Sequence, residues 1–166
     1  MIKIFNTLFV TMFGVGKINK IPGTFGSLIT IIILYIFFHI LNISSNIIFL
    51  ILTLILVYSF FAVSLHIKNN ANKDPQEIVI DEFIGQSIPI YLYEISHGSE
   101  RSSDEIIFFY IISFILFRFF DIKKPFPVNI FDKNYKNSFG VIIDDVIAGF
   151  YVVLTLIIFM IIKSRF

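Results

Sequence analysis

Four runs of Ile, Leu, Val and Phe, separated by short polar stretches, constrain this chain more than any other feature. They span Leu28 to Leu41, Ile47 to Leu65, Ile106 to Phe120 and Val146 to Ile162. A run of this length with almost no charge is the signature of a helix in hydrocarbon, where every backbone N–H and C=O must be satisfied within the segment. The chain has 166 residues and is 57% hydrophobic with 15% charged residues, and its mean hydropathy is +0.87. That is more apolar surface than one soluble core of this size can bury. The expected class is therefore an all-α, multi-span membrane protein forming one domain over residues 1–166, with the lipid bilayer as its first partner.

The first two runs are joined only by Asn42 to Asn46, so they form an antiparallel hairpin. A fifth segment, Ile78 to Tyr93, is harder to place because it carries Asp81 and Glu82 at its start and Pro89 inside it. Counting sides resolves it. If this segment crosses, the acidic groups near the ends of three segments fall on one face. If it does not, Asp81 and Glu82 are separated from Asp121, Asp144 and Asp145. The crossing count also collects Lys17, Lys20, Lys68, Lys73, Arg118, Lys123, Lys124, Lys133 and Lys136 on the acidic face, leaving Arg101, Lys163 and Arg165 opposite. By the positive-inside rule that face is cytoplasmic. The expectation is about five membrane-embedded helices, with the motif loops on the cytoplasmic side. Met1 to Phe13 is apolar but too short to span and lacks a small-residue cleavage site, so it is expected to stay in the mature chain.

Other classes lose support. A net charge of +1 without a basic stripe gives no footprint for nucleic acid. The absence of cysteine removes thiol nucleophiles, disulfides and Cys-ligated metals.

Ionisable groups beside hydrocarbon need a cause, and they fall into four clusters. Gly14 to Ser27 places glycines, Lys17, Lys20, Thr24 and Ser27 before the first span, where backbone amides and a helix N-terminus expected at Ser27 suit an anion. An ordinary capped helix start would look the same. Asp81 and Glu82 open an apolar run in which bare carboxylates are costly and a cation would offset the cost. Gly85, four residues on, would let a neighbouring helix approach. Asp74 and Glu77 read as solvated loop charges. Arg118 and Asp121 share a helical face at i and i+3, either as a local ion pair or as a phosphate ligand beside a metal ligand. Pro125 ends that helix and leaves Lys124 at the surface. Asp144 and Asp145 point about 100° apart, so one can hold metal while the other orients a ligand. The all-oxygen acidic set, without His or Cys, suits Mg²⁺. His39, His66 and His97 receive no role.

Pro22-Gly-Thr-Phe-Gly-Ser27, Ile78-Val-Ile-Asp-Glu-Phe-Ile-Gly85, Arg118-Phe-Phe-Asp121 with Lys124-Pro-Phe-Pro127, and Ile143-Asp-Asp-Val-Ile-Ala-Gly149 resemble, in order and spacing, the phosphatidylglycerophosphatase A family. The resemblance runs from about Gly14 to Gly149. It implies a bacterial inner-membrane, Mg²⁺-dependent phosphatase that converts phosphatidylglycerophosphate to phosphatidylglycerol. Carried onto this chain, it makes Asp81, Glu82, Asp121, Asp144 and Asp145 the acidic site, with Asp81, Glu82, Asp121 and Asp145 taken as metal ligands. Arg118 and Lys124 would bind phosphate, and Thr24 with the backbone of Gly23 and Gly26 would complete the pocket. A phosphatidyl transferase of lipid synthesis would need an Asp-Gly-x-x-Ala-Arg arrangement, which the chain lacks. A small ion transporter would be expected to carry its acids deep in the spans rather than at their ends.

Overall fold

The computed structural model describes residues 2–68, 75–97, 102–126, 128 and 137–164. All regular structure among them is helical. Helix α1 covers Ile2–Val10, α2 Pro22–Tyr35, α3 Ser45–Lys68, α4 Ile80–His97, α5 Ser103–Lys123 and α6 Ser138–Lys163. A π-helical turn, Ile36–Ile40, extends α2.

Three helices are long and apolar enough to cross a membrane, namely α2 with its π turn, α3 and α6. The outer faces of α3, α5 and α6 carry exposed Leu50, Leu54, Phe61, Phe108, Ile115, Leu154 and Ile158, an apolar belt suited to a lipid environment. Helix α4 differs because it contacts α2, α3, α5 and α6 together. Ile84, Gln86 and Ile90 are buried there, so protein rather than lipid surrounds α4 and its sequence need not be uniformly apolar. With α4 at the centre and α2, α3, α5 and α6 around it, the bundle has five long helices, of which three among the described residues meet the length and hydropathy of a span. Their ends alternate so that the starts of α2, α4 and α6 and the ends of α3 and α5 lie together.

Two glycines set the contact between α4 and α6. A Cβ on Gly85 would sit 2.5 Å from the Asp145 carbonyl oxygen and 2.7 Å from the Phe117 ring, and one on Gly149 would run into the Gly85 carbonyl oxygen. Helices in lipid gain from such small-residue contacts because backbones can approach closely. The consequence is local: the close approach occurs at Asp145 itself and draws that carboxylate toward the first turn of α4.

Two helix limits depart from expectation. Helix α2 begins at Pro22, so Ser27 lies inside the helix and is buried, donating to the Gly23 carbonyl at 3.0 Å. The hydroxyl satisfies itself within the helix, as Ser and Thr do in apolar surroundings. The start of α6 likewise lies at Ser138, capped by Asn137, whose side chain accepts from the Gly140 amide. Apolar runs underestimate these helices because the continuation is polar yet faces protein.

His39 is not a passive packed residue. Its Nε2 lies 3.0 Å from Glu94 Oε1, which also accepts from the Tyr110 hydroxyl at 2.9 Å. This cluster joins α2, α4 and α5 at the end of the bundle remote from the acidic motifs. Glu77 is paired rather than simply solvated, with His66 Nε2 at 2.8 Å. Asp74, Lys73, Arg101, Lys133 and Lys136 lie outside the described residues.

If the glycine contact sets the α4–α6 distance, Gly85→Ala and Gly149→Ala should each destabilise the bundle by about 1–3 kcal/mol, the usual cost of overpacking. Phe150→Ala on the lipid-facing side should stay within about 0.5 kcal/mol. Thermal unfolding in one detergent compares all three, and equal stability of the two glycine variants with the parent would refute the assignment.

Candidate active site

The acidic end of the bundle encloses a cavity of about 390 Å³. Its walls come from the first turn of α2, the segment preceding α4, the start of α4, the end of α5 and the start of α6. Asp81, Glu82, Asp121, Asp144, Asp145, Arg118, Lys124, Gly23 and Thr24 all line it. Gly26 does not. It lies deeper, where a Cβ would stand 3.1 Å from Val79, so its role is helix packing rather than lining the cavity.

The acids fall into two groups. Asp81, Glu82 and Asp145 each offer an oxygen within 4.8 Å of the others. Asp81 and Asp145 are buried, and Glu82 Oε2 is shielded with no hydrogen-bond partner. Three carboxylates at this separation repel one another, and water is too scarce here to screen them. The arrangement fits a divalent cation: oxygen donors only, mutually close, and an unused lone pair on Glu82.

Asp121 and Asp144 instead face bases. Arg118 Nη1 is 2.7 Å from Asp121 Oδ2 and 3.8 Å from Glu82 Oε1. It also donates to Ser27 Oγ at 3.3 Å. The local i,i+3 pair is thus real, and Asp121 is turned toward Arg118 rather than joining the group formed by Asp81, Glu82 and Asp145. Arg118 Nε is buried with no acceptor, while the side chain still forms part of the cavity wall. Lys124 Nζ donates to Asp144 Oδ2 at 2.8 Å, while Asp144 Oδ1 accepts from the Asp145 amide at 3.0 Å. Asp144 therefore anchors Lys124 and is itself held by the Asp145 amide.

Local backbone geometry explains why these groups meet. A Cβ on Gly23 would collide with Glu82 Oε1 and stand 3.2 Å from Arg118 Nη1, so only glycine lets the α2 start sit against both. Its amide, in the first turn, has no intrahelical acceptor. Ile21 caps α2 at φ 50°, ψ 49°, a left-handed conformation that is costly for a β-branched residue before proline. Lys124 is also left-handed, at φ 44°, as the residue that closes α5. Tyr151 secures the turn after it by donating to the Phe126 carbonyl at 2.5 Å and stacking on Phe120.

Sequence reasoning passed over Ser27 as an arginine partner, Tyr151 as a brace and Gln86. Gln86 is fully buried one turn below Glu82 and donates to Ser113 Oγ at 3.3 Å. The spacing of Glu82 and Gln86 at i and i+4 was a usable signal. Nothing in the spacing of Ser27 and Arg118 indicated that contact.

Five carboxylates and two bases line the cavity, an excess of three formal negative charges when all are ionised. Such a site attracts a cation first, and an anionic ligand through it and through Arg118.

The comparisons with known proteins agree with this geometry. The family description Phosphatidylglycerophosphatase A matches residues 8–160. A Haemophilus influenzae phosphatidylglycerophosphatase A is 37% identical over 142 residues, covering 86% of this chain and 80% of the relative. A Bacteroides thetaiotaomicron protein with the provisional name phosphatidylinositol-3-phosphatase is 31% identical over 143 residues, covering 85% and 84%. An Escherichia coli K12 phosphatidylglycerophosphatase A is 28% identical over 137 residues, covering 82% and 73%. No solved structure matches the chain with significance. With four motifs in order around one acidic cavity and a family match that spans nearly every helix, the chain belongs to the phosphatidylglycerophosphatase A family.

Proposed function

We propose that this protein removes the terminal phosphate of phosphatidylglycerophosphate, giving phosphatidylglycerol and inorganic phosphate, at the cytoplasmic face of a bacterial inner membrane. The observation that carries the proposal is the closeness of Asp81, Glu82 and Asp145, within 4.8 Å of one another, beside Arg118, which lines the same cavity. A carboxylate triad alone would hold a cation. A triad with a guanidinium alongside suits a cation and a phosphate together.

Asp81, Glu82 and Asp145 would hold Mg²⁺, which when bound neutralises phosphoryl charge and makes a nearby water more acidic. Arg118 grips phosphoryl oxygens, kept in line by Asp121 and Ser27. Lys124, anchored on Asp144 at the cavity wall, brings a second positive charge to the phosphate. The first-turn amide of Gly23 and the positive end of α2 add to the same field. The water gives its proton to a carboxylate of the triad as its oxygen bonds phosphorus. The bond to the glycerol oxygen breaks with its electron pair, and that oxygen takes up the proton the carboxylate received. Asp121 acts in this scheme by orienting Arg118. An attack by aspartate itself is the alternative, and it would leave a phosphorylated aspartate after acid quench.

The Bacteroides relative's name favours a second substrate, an inositol lipid phosphorylated at the 3-position. Both lipids are phosphomonoesters, so the same cavity chemistry serves either. The glycerol headgroup is favoured by the two relatives named phosphatidylglycerophosphatase A.

Phosphate release from detergent-solubilised protein should require Mg²⁺, stop with a chelator and return on readdition. Phosphatidylglycerophosphate should be hydrolysed in preference to phosphatidylinositol 3-phosphate; the reverse order would overturn the substrate assignment. Asp81→Asn, Asp145→Asn and Arg118→Lys should each lower kcat by at least about 100-fold, and Asp121→Asn by less. Unchanged turnover in both Asp81→Asn and Asp145→Asn would remove the triad from the reaction. Because the chain has no cysteine, Lys17→Cys and Ser103→Cys report sidedness directly. An impermeant maleimide applied to intact spheroplasts should label Ser103→Cys and spare Lys17→Cys.

A further inference from the structure

A second cavity, of about 430 Å³, lies between α1, α2, α3 and the first turn of α4. It falls within the roughly 300–1,000 Å³ range of small-molecule sites, but every lining residue is apolar or Met. No charged or hydrogen-bonding side chain faces it, so no headgroup fits.

Its shape is set by its walls. Along α2 it extends from Ile29 to Phe37, about 12 Å at about 1.5 Å per residue. One extended hydrocarbon chain can lie along that length with apolar side chains against it throughout.

Ile80 and Phe83 line it, and these residues bracket Asp81 and Glu82 on the same turn of α4. The turn thus shows carboxylates to one cavity and hydrocarbon to the other. Beside it, Met12 and Phe13 are both left-handed, at φ 45° and 56°, a conformation non-glycine residues adopt at a cost. Hydrogen bonds from the Phe13 amide to the Leu8 carbonyl at 2.7 Å and from the Gly14 amide to the Thr11 carbonyl at 3.1 Å hold that turn. Phe13 lines the cavity and is nonetheless 85% exposed, as a residue at a mouth is.

We propose that this cavity is the seat of one acyl chain of the lipid substrate, entered past Phe13 while the phosphate occupies the acidic cavity on the other side of the α4 turn. The proposal rests on the phosphatase reading for the identity of the headgroup, but not for the apolar occupant. It gives the enzyme a means of choosing among phosphomonoesters by the tail they carry.

Two measurements test it independently. The first uses phosphatidic acid with a diazirine at the end of one 16-carbon chain, photolysed with the parent protein in detergent. Adducts should concentrate on Phe37, Ile51 and Leu52, and unlabelled long-chain phosphatidylglycerophosphate should suppress them. Equal labelling of the outward residues Leu50, Leu54 and Val57, or no competition, would mean ordinary surrounding lipid and would overturn the proposal. The second places Ile33→Trp in the cavity and compares kcat/KM for long-chain and short-chain phosphatidylglycerophosphate. The ratio of long to short should fall by about tenfold or more, whereas an unchanged ratio in a variant with parental thermal stability counts against the seat. Should the parent hydrolyse neither lipid, the reaction reading fails while the adduct map still decides the occupant.

Discussion

Like charges brought together where water is scarce are the condition on which the rest of this structure depends. Asp81, Glu82 and Asp145 approach within 4.8 Å because α4 and α6 meet backbone to backbone at Gly85 and Gly149. Packing energy along the helices supplies what mutual repulsion opposes. The bases divide the remaining acids between them, Arg118 with Asp121 and Lys124 with Asp144. The result is an ordered arrangement: a negative centre able to receive a cation, and two anchored cations at its edge.

Helix α4 is where these demands converge. It is enclosed by α2, α3, α5 and α6, so protein surrounds it while the outer helices meet lipid. One of its turns therefore serves two kinds of neighbour, with Asp81 and Glu82 toward the polar cavity and Ile80 and Phe83 toward the apolar one. Gly23 meets Glu82 with no room for a side chain, which is why the start of α2 can lie against this turn.

Much of the helical architecture was legible in the sequence because apolar runs and their breaks report helices in hydrocarbon directly. The shared end of the acidic motifs was legible too, once α4 was required to cross. The helix limits were not, since Gly23 to Ser27 and Ser138 to Asp145 mix small and polar residues with apolar ones yet are helical, and Gly23, Gly26, Ser27, Asp144 and Asp145 are covered by protein instead of lipid. Side-chain partnership was legible only where both residues lie on one helix, as with Arg118 and Asp121. Contacts such as Ser27 with Arg118, or His39 with Glu94, join distant segments and leave no periodic trace. Asp144 and Asp145 could be separated in direction from their spacing, but the lysine that claims Asp144 comes from the close of another helix.

The His39–Glu94–Tyr110 cluster fastens α2, α4 and α5 at the end away from the acids. Pinned there, α2, α4 and α5 arrive at the acidic end already in register, so a loss of the Glu94 carboxylate would be felt at Gly23, Glu82 and Arg118 although none of them touches it.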